Sequence, residues 1–145
     1  MYGAIPVGSI AATSDVVKGF NAGGTFAAND TVMFSSGELV VGTATSSLLG
    51  IALEAATSAS TDVKVNMTPG LRVIMDNDQD SDTFAVTDVG LYGDLVGATG
   101  VQQINTDTIS STPATFFVLE FNPQGFNLDT DTSIGLFTLH EQVYP

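Results

Sequence analysis

Seven consecutive residues, DNDQDSD at positions 76–82, form the densest set of potentially reactive groups in the chain. Carboxylates at alternate positions of a turn present hard oxygen donors, the ligand type that Ca²⁺ takes. Asp76, Asp78 and Asp80 are therefore the candidate metal ligands. An EF-hand loop, however, needs Gly at its sixth position and Glu at its twelfth, where this chain has Ser81 and Thr87. The alternative is a solvated hairpin tip, because Asp and Asn side chains favour turn geometry. A shorter run, Asp129-Thr130-Asp131, carries the same two readings.

His140 is the single histidine, so no multi-histidine metal site exists. A Ser-His-Asp arrangement would have to use it, beside Glu141, yet the chain has no G-x-S-x-G nucleophile elbow. A surface histidine near the C-terminus is the plainer reading. Sixteen Asp and Glu make chance carboxylate pairs inevitable, so two-carboxylate glycoside hydrolysis has no specific support. Trp is absent and the tyrosines are Tyr2, Tyr92 and Tyr144, which gives sugar binding no aromatic platform. No Gly-Lys-Ser/Thr phosphate loop occurs. The absence of Cys removes disulfides, thiol nucleophiles and thiolate metal sites together. The expectation is a protein with no catalytic residues and no cofactor.

Charge narrows the partners. Against the sixteen acids stand Lys18, Lys64 and Arg72, for a net charge of −13. Nucleic-acid binding needs clustered Lys and Arg to displace counterions from phosphates, so no nucleic acid is expected. An anionic membrane surface is disfavoured for the same reason. No run of about 18 apolar residues, the length a membrane-crossing helix needs, is present. The N-terminus has neither a positive n-region nor a continuous apolar core, so no signal peptide is expected. A surface this acidic suits a basic partner or a saline medium. At 145 residues, 43% hydrophobic and only 13% charged, the chain has the length and composition of one ordered domain.

Short Val/Ile/Leu/Phe-rich runs bounded by Gly, Ser, Asn and Asp clusters predict strands at 32–34, 39–41, 48–53, 63–67, 71–75, 83–86, 91–96, 101–104, 115–121 and 134–139. No segment sustains a 3.6-residue period over three turns, so very little helix is expected. The fold class is all-β, a small β-barrel or β-sandwich. Residues 1–23 lack a clear period and read as an extended N-terminal arm, with a turn of helix over 14–19 as the alternative. An arm this apolar must pack on its own domain or on a partner. Residues 24–145 form the single domain. Within it a weak repeat relates two halves, about 24–75 and 84–139. Asn29-Asp30-Thr31-Val32 matches Gly93-Asp94-Leu95-Val96, and each is followed by a Gly turn, an apolar strand and an alternating strand.

Asn29-Asp30-Thr31-Val32, the turn at Gly37, LLGIALEAATSAS (48–60) and VKVNMTPG (63–70) resemble the head decoration, or cement, proteins of tailed bacteriophages. The stretch VGLYGDLVGATGVQQINTDTISSTPATFFVLEFNP (89–123) is similar to that family's C-terminal half. The resemblance covers about residues 24–139, through short motifs built from common hairpin residues. It implies a virion protein on the capsid exterior, often a homotrimer, that clamps neighbouring subunits of the major capsid protein. It also implies that the N-terminal arm runs onto the capsid lattice, making Tyr2, Ile5, Pro6, Val7, Ile10, Val16, Val17 and Phe20 the candidate capsid contacts. The chain departs from the pattern in its acidity and its long C-terminal loop. Alternative readings are another virion β-module at a fibre base or baseplate, a cell-surface adhesin domain, and a small hydrolase built on His140.

Overall fold

The computed structural model describes residues 4–6, 17–44, 47–78, 83–121 and 134–140. The strands are β1 (Ile5–Pro6), β2 (Val17–Phe20), β3 (Thr31–Ser35), β4 (Glu38–Val41), β5 (Gly50–Ala52), β6 (Val63–Asn66), β7 (Arg72–Asp76), β8 (Tyr92–Val96), β9 (Gln103–Ser110), β10 (Phe116–Phe121) and β11 (Ile134–Leu139). Among the described residues the helical content is one 3₁₀ turn, Val86–Asp88. The protein is all-β.

The strands form two antiparallel sheets, β2-β6-β5-β3-β4 and β1-β7-β11-β10-β8-β9. With β1 set aside, the two sheets have the same strand order. In each, the first strand pairs with the fifth, the fifth with the fourth, the fourth with the second, and the second with the third. Each sheet also curls until its first and third strands meet. Ala22 bridges Leu39 in parallel in one, and Asn77 bridges Ile104 in parallel in the other. Even the hydrogen bonds correspond, Gly23 N–H to Leu39 O at 2.8 Å and Asp78 N–H to Ile104 O at 3.1 Å. The strands matched in the sequence repeat occupy corresponding places in the two sheets. The pairing draws the units differently from the sequence halves, however: β2 belongs to the first unit and β7 opens the second.

Each unit is centred on a hydrophobic cluster, and the first unit also contributes to the second cluster. The first is built on Phe26, Val32, Leu39, Leu49, Val63, Val65 and Met67. The second is built on Val73, Met75, Leu95, Ile104, Phe116, Val118, Phe137 and Leu139. Alternation within the strands explains the division, since neighbouring residues point to opposite faces. In β5, Ala52 faces the first core while Ile51, with Leu48, packs into the second. Burying each such aliphatic or aromatic side chain contributes roughly 1.5–3 kcal/mol.

Polar side chains tie the units together. Gln102 is fully buried. Its Oε1 accepts from Thr31 N–H at 2.6 Å and Thr31 Oγ1 at 3.0 Å. Its Nε2 donates to Thr31 O at 3.3 Å and Gly42 O at 3.2 Å. Asp30, also fully buried, accepts from Ala27 N–H at 2.8 Å within its own turn. Its carboxylate further accepts from Gly100 N–H, at 2.9 and 3.1 Å, in the β8–β9 turn of the other unit. That turn depends on Gly97, whose φ of +93° suits glycine and whose missing Cβ leaves room for the Val101 carbonyl.

Two stretches differ from the sequence expectation. Residues 83–86 form no strand. Asp88 accepts from Ala85 N–H at 2.7 Å and its own N–H returns to Ala85 O at 3.0 Å, a local turn that competes with sheet pairing. The strand expected at 101–104 starts later and runs through polar residues to Ser110, because Gln102 turns in towards the first unit. Residues 17–19 of the alternative helical turn lie in β2 (Val17–Phe20), bonded along β6, so the extended reading holds there, and residues 14–16 lie outside the described residues.

Candidate functional site

The acidic turn is described as far as Asp78. Asp76 ends β7 and is buried, opposite Ile134 in the sheet. Asp78 accepts a hydrogen bond from Thr106 Oγ1 at 3.1 Å, which ties the end of β7 to β9. Asp80 lies outside the described residues, as do Asp129 and Asp131. Among the described residues no three His, Cys, Asp or Glu come together to hold a metal. His140 donates its backbone N–H to Thr115 O at 2.9 Å, and its ring lies against Tyr92 with centroids 4.7 Å apart. No hydrogen bond ties that ring to a serine or a carboxylate among the described residues.

Of the candidate capsid contacts, Tyr2, Val7, Ile10 and Val16 lie outside the described residues. Ile5 and Pro6 form β1 on the edge of β7, pairing with Ile74 and Val73. Val17 and Phe20 lie in β2, opposite Asn66 and Val63. Phe20 packs on the first core and edge-on against Phe34, with centroids 5.1 Å apart. The described parts of the N-terminal segment thus join the protein's own two sheets.

Among the described residues, a groove of about 360 Å³ is lined by Ala44, Asp94, Thr108, Ser110, Thr112, Pro113 and Ala114. A bulge in β9 creates it. Tyr92 faces Ser110 and Asp94 faces Asn105, so two residues along β8 (94 − 92) span five along β9 (110 − 105). The surplus residues arch away from the ladder, as bulges do. Ile109 turns inward to the second core, and Gly93 makes this close approach feasible: a Cβ there would lie 3.0 Å from Ile104 and 3.3 Å from Ile109.

Backbone–side-chain bonds fix the groove walls. Thr108 Oγ1 accepts from Asp94 N–H at 3.3 Å and donates to Asn105 O at 2.9 Å. Ser110 Oγ accepts from Thr112 N–H at 3.2 Å, setting the turn into Pro113. Thr115 Oγ1 lies 3.1 Å from Ala44 O and 3.4 Å from Asp94 Oδ1. One hydroxyl has one proton to give, and at most it fills one of the roughly four lone-pair sites of the carboxylate. The half-buried Asp94 carboxylate therefore keeps its acceptor capacity at the groove. On the same face, two residues along β8, Tyr92 packs between Phe117, 5.2 Å away, and His140.

In the sequence Tyr92 and Asp94 belong to an expected strand, to the repeat and to the stretch that resembles decoration proteins, and nothing there marks either as a site residue. The bulge that recruits Thr108 and Ser110 reads in sequence as a polar loop. A Gly-Asp pair in a strand facing a Thr/Ser-rich strand is the one local signal that could have located it. No protein-family model, curated protein or solved structure matches this chain.

Proposed function

We propose that this protein is a structural component of a virus particle. In this reading it is a capsid decoration protein that binds the outside of a phage head and clamps neighbouring major capsid subunits, acting as a homotrimer. The observation that carries it is the double unit itself. Asn29-Asp30-Thr31-Val32 and Gly93-Asp94-Leu95-Val96, two motifs behind the resemblance, lead into or form β3 and β8, which hold corresponding positions in the two sheets. Two sheets joined by Leu48 and Ile51, which pack from the first unit into the second core, and by fully buried polar groups make a stiff body, and a clamp works by resisting deformation. Trimerisation would multiply weak contacts through effective concentration. A net charge of −13 favours a basic docking surface.

The test is addition of the purified protein to expanded heads that lack it, followed by co-sedimentation and electron cryo-microscopy. Saturable binding, with β-rich density across subunit seams on the exterior, is the expected result. Density only at the tail or fibres would replace the clamp with another virion role. Failure to bind any part of the particle would remove the virion reading altogether.

A further inference from the structure

We infer that the groove beside Asp94 receives a single arginine side chain from a partner protein. Its volume, about 360 Å³, lies at the small end of the range for ligand sites, enough for one long side chain. Its polar lining is rich in acceptors: the Asp94 carboxylate and the hydroxyls of Thr108 and Ser110. A guanidinium carries five N–H donors in a fixed fork and no acceptor, the complement of such a surface. A carboxylate can take two of those donors side by side.

The chain supplies no cation of its own here. Lys18, Lys64 and Arg72 are its basic residues, and none lines the groove. Lys64 pairs instead with Asp62 at 2.7 Å. Among the described residues, the one side-chain contact of the Asp94 carboxylate is with Thr115 Oγ1, at 3.4 Å, a hydroxyl that also faces Ala44 O at 3.1 Å. A half-buried carboxylate attracts a cation more strongly than one in open water, because the local dielectric is lower. Tyr92, on the same face and held by Phe117 and His140, offers an aromatic surface for the stem or the guanidinium plane. Lysine is a poorer match: its ammonium is a strongly hydrated point charge without the planar fork.

Combined with the capsid reading, this assigns the arginine to a major capsid subunit. The groove itself can be tested without capsids, so failure of either idea leaves the other separately measurable. The full chain would be titrated with N-acetyl-arginine methylamide, N-acetyl-lysine methylamide and glucose, each followed by backbone amide chemical shifts. Saturable shifts confined to Asp94, Thr108, Ser110, Thr112 and Ala114 are expected with the arginine probe, binding at least about threefold tighter than the lysine probe. Asp94→Asn should weaken it about tenfold or more. Ser110→Arg, which tethers a guanidinium at the groove wall, should abolish the response while preserving the dispersed spectrum. Shifts scattered over the acidic surface, equal binding of lysine, a response to glucose, or full affinity in Asp94→Asn would each overturn the assignment.

Discussion

The side chain of Gln102 closes on the backbone of Thr31, 71 residues earlier, with all its hydrogen-bonding positions filled. It makes the two β units one body, because each bond it forms reaches a residue of the first unit. Removing it takes away the partner of a buried N–H, a hydroxyl and the Gly42 carbonyl, while Thr31 O keeps the Gly42 N–H at 2.7 Å.

Gln102→Ala is therefore expected to destabilise the protein by about 2–4 kcal/mol, the cost of unsatisfied buried groups plus a cavity. Urea unfolding would measure it. Gln102→Glu should be at least as damaging, since it sets an acceptor against the Thr31 and Gly42 carbonyls. A loss below about 0.5 kcal/mol for either would show that the units are held together elsewhere.

Asp30→Ala removes the acceptor shared by Ala27 N–H and Gly100 N–H and should cost about 2 kcal/mol. Asp30→Asn, which keeps one acceptor oxygen, should cost less. Thermal denaturation of the pair would rank them, and the reverse order would contradict the bonding described.

Gly93→Val tests the close packing beneath the bulge. Its side chain would collide with Ile104 and Ile109 and should destabilise by about 1–3 kcal/mol. Unchanged unfolding would mean that the bulge yields readily.

Phe20→Ala separates packing from binding. Loss of its contacts with Phe34 and the first core should lower stability by about 1–3 kcal/mol. If it instead weakens binding to heads while the urea midpoint stays fixed, Phe20 is a contact residue first and a core residue second.

Calcium offers a direct check on the acidic turn. With Asp76 buried in the sheet and Asp78 bonded to Thr106, millimolar Ca²⁺ should move the thermal midpoint by less than about 1 °C. A rise of several degrees, lost in Asp80→Asn, would restore the metal site.

The strand pattern was largely legible because short apolar runs between turn residues report burial directly, as at 48–53 and 134–139. The shared strand order left a trace in sequence through the Asp30 and Asp94 motifs. What failed was chemistry set by long-range contact. Gln102 looks like a solvent-facing polar residue, and only its meeting with Thr31 shows otherwise. Residues 83–86 have strand composition, but Asp88 claims the Ala85 backbone locally. The groove was hidden because it depends on how many residues β9 spends between Asn105 and Ser110, a count that no local pattern reveals.

The position of β1 has a consequence for the order of events during synthesis. Strands β2 to β6 find all their ladder partners within residues 17–66, so their pairing can begin while the rest of the chain is still being made. Ile5 and Pro6 cannot join a sheet until Ile74 and Val73 have emerged. The buried bonds of Asp30 and Thr31 wait longer still, for Gly100 and Gln102. Ile5 and Pro6, made before β2 to β6, are thus held back until the second unit exists, and the older half of the fold is completed by the younger.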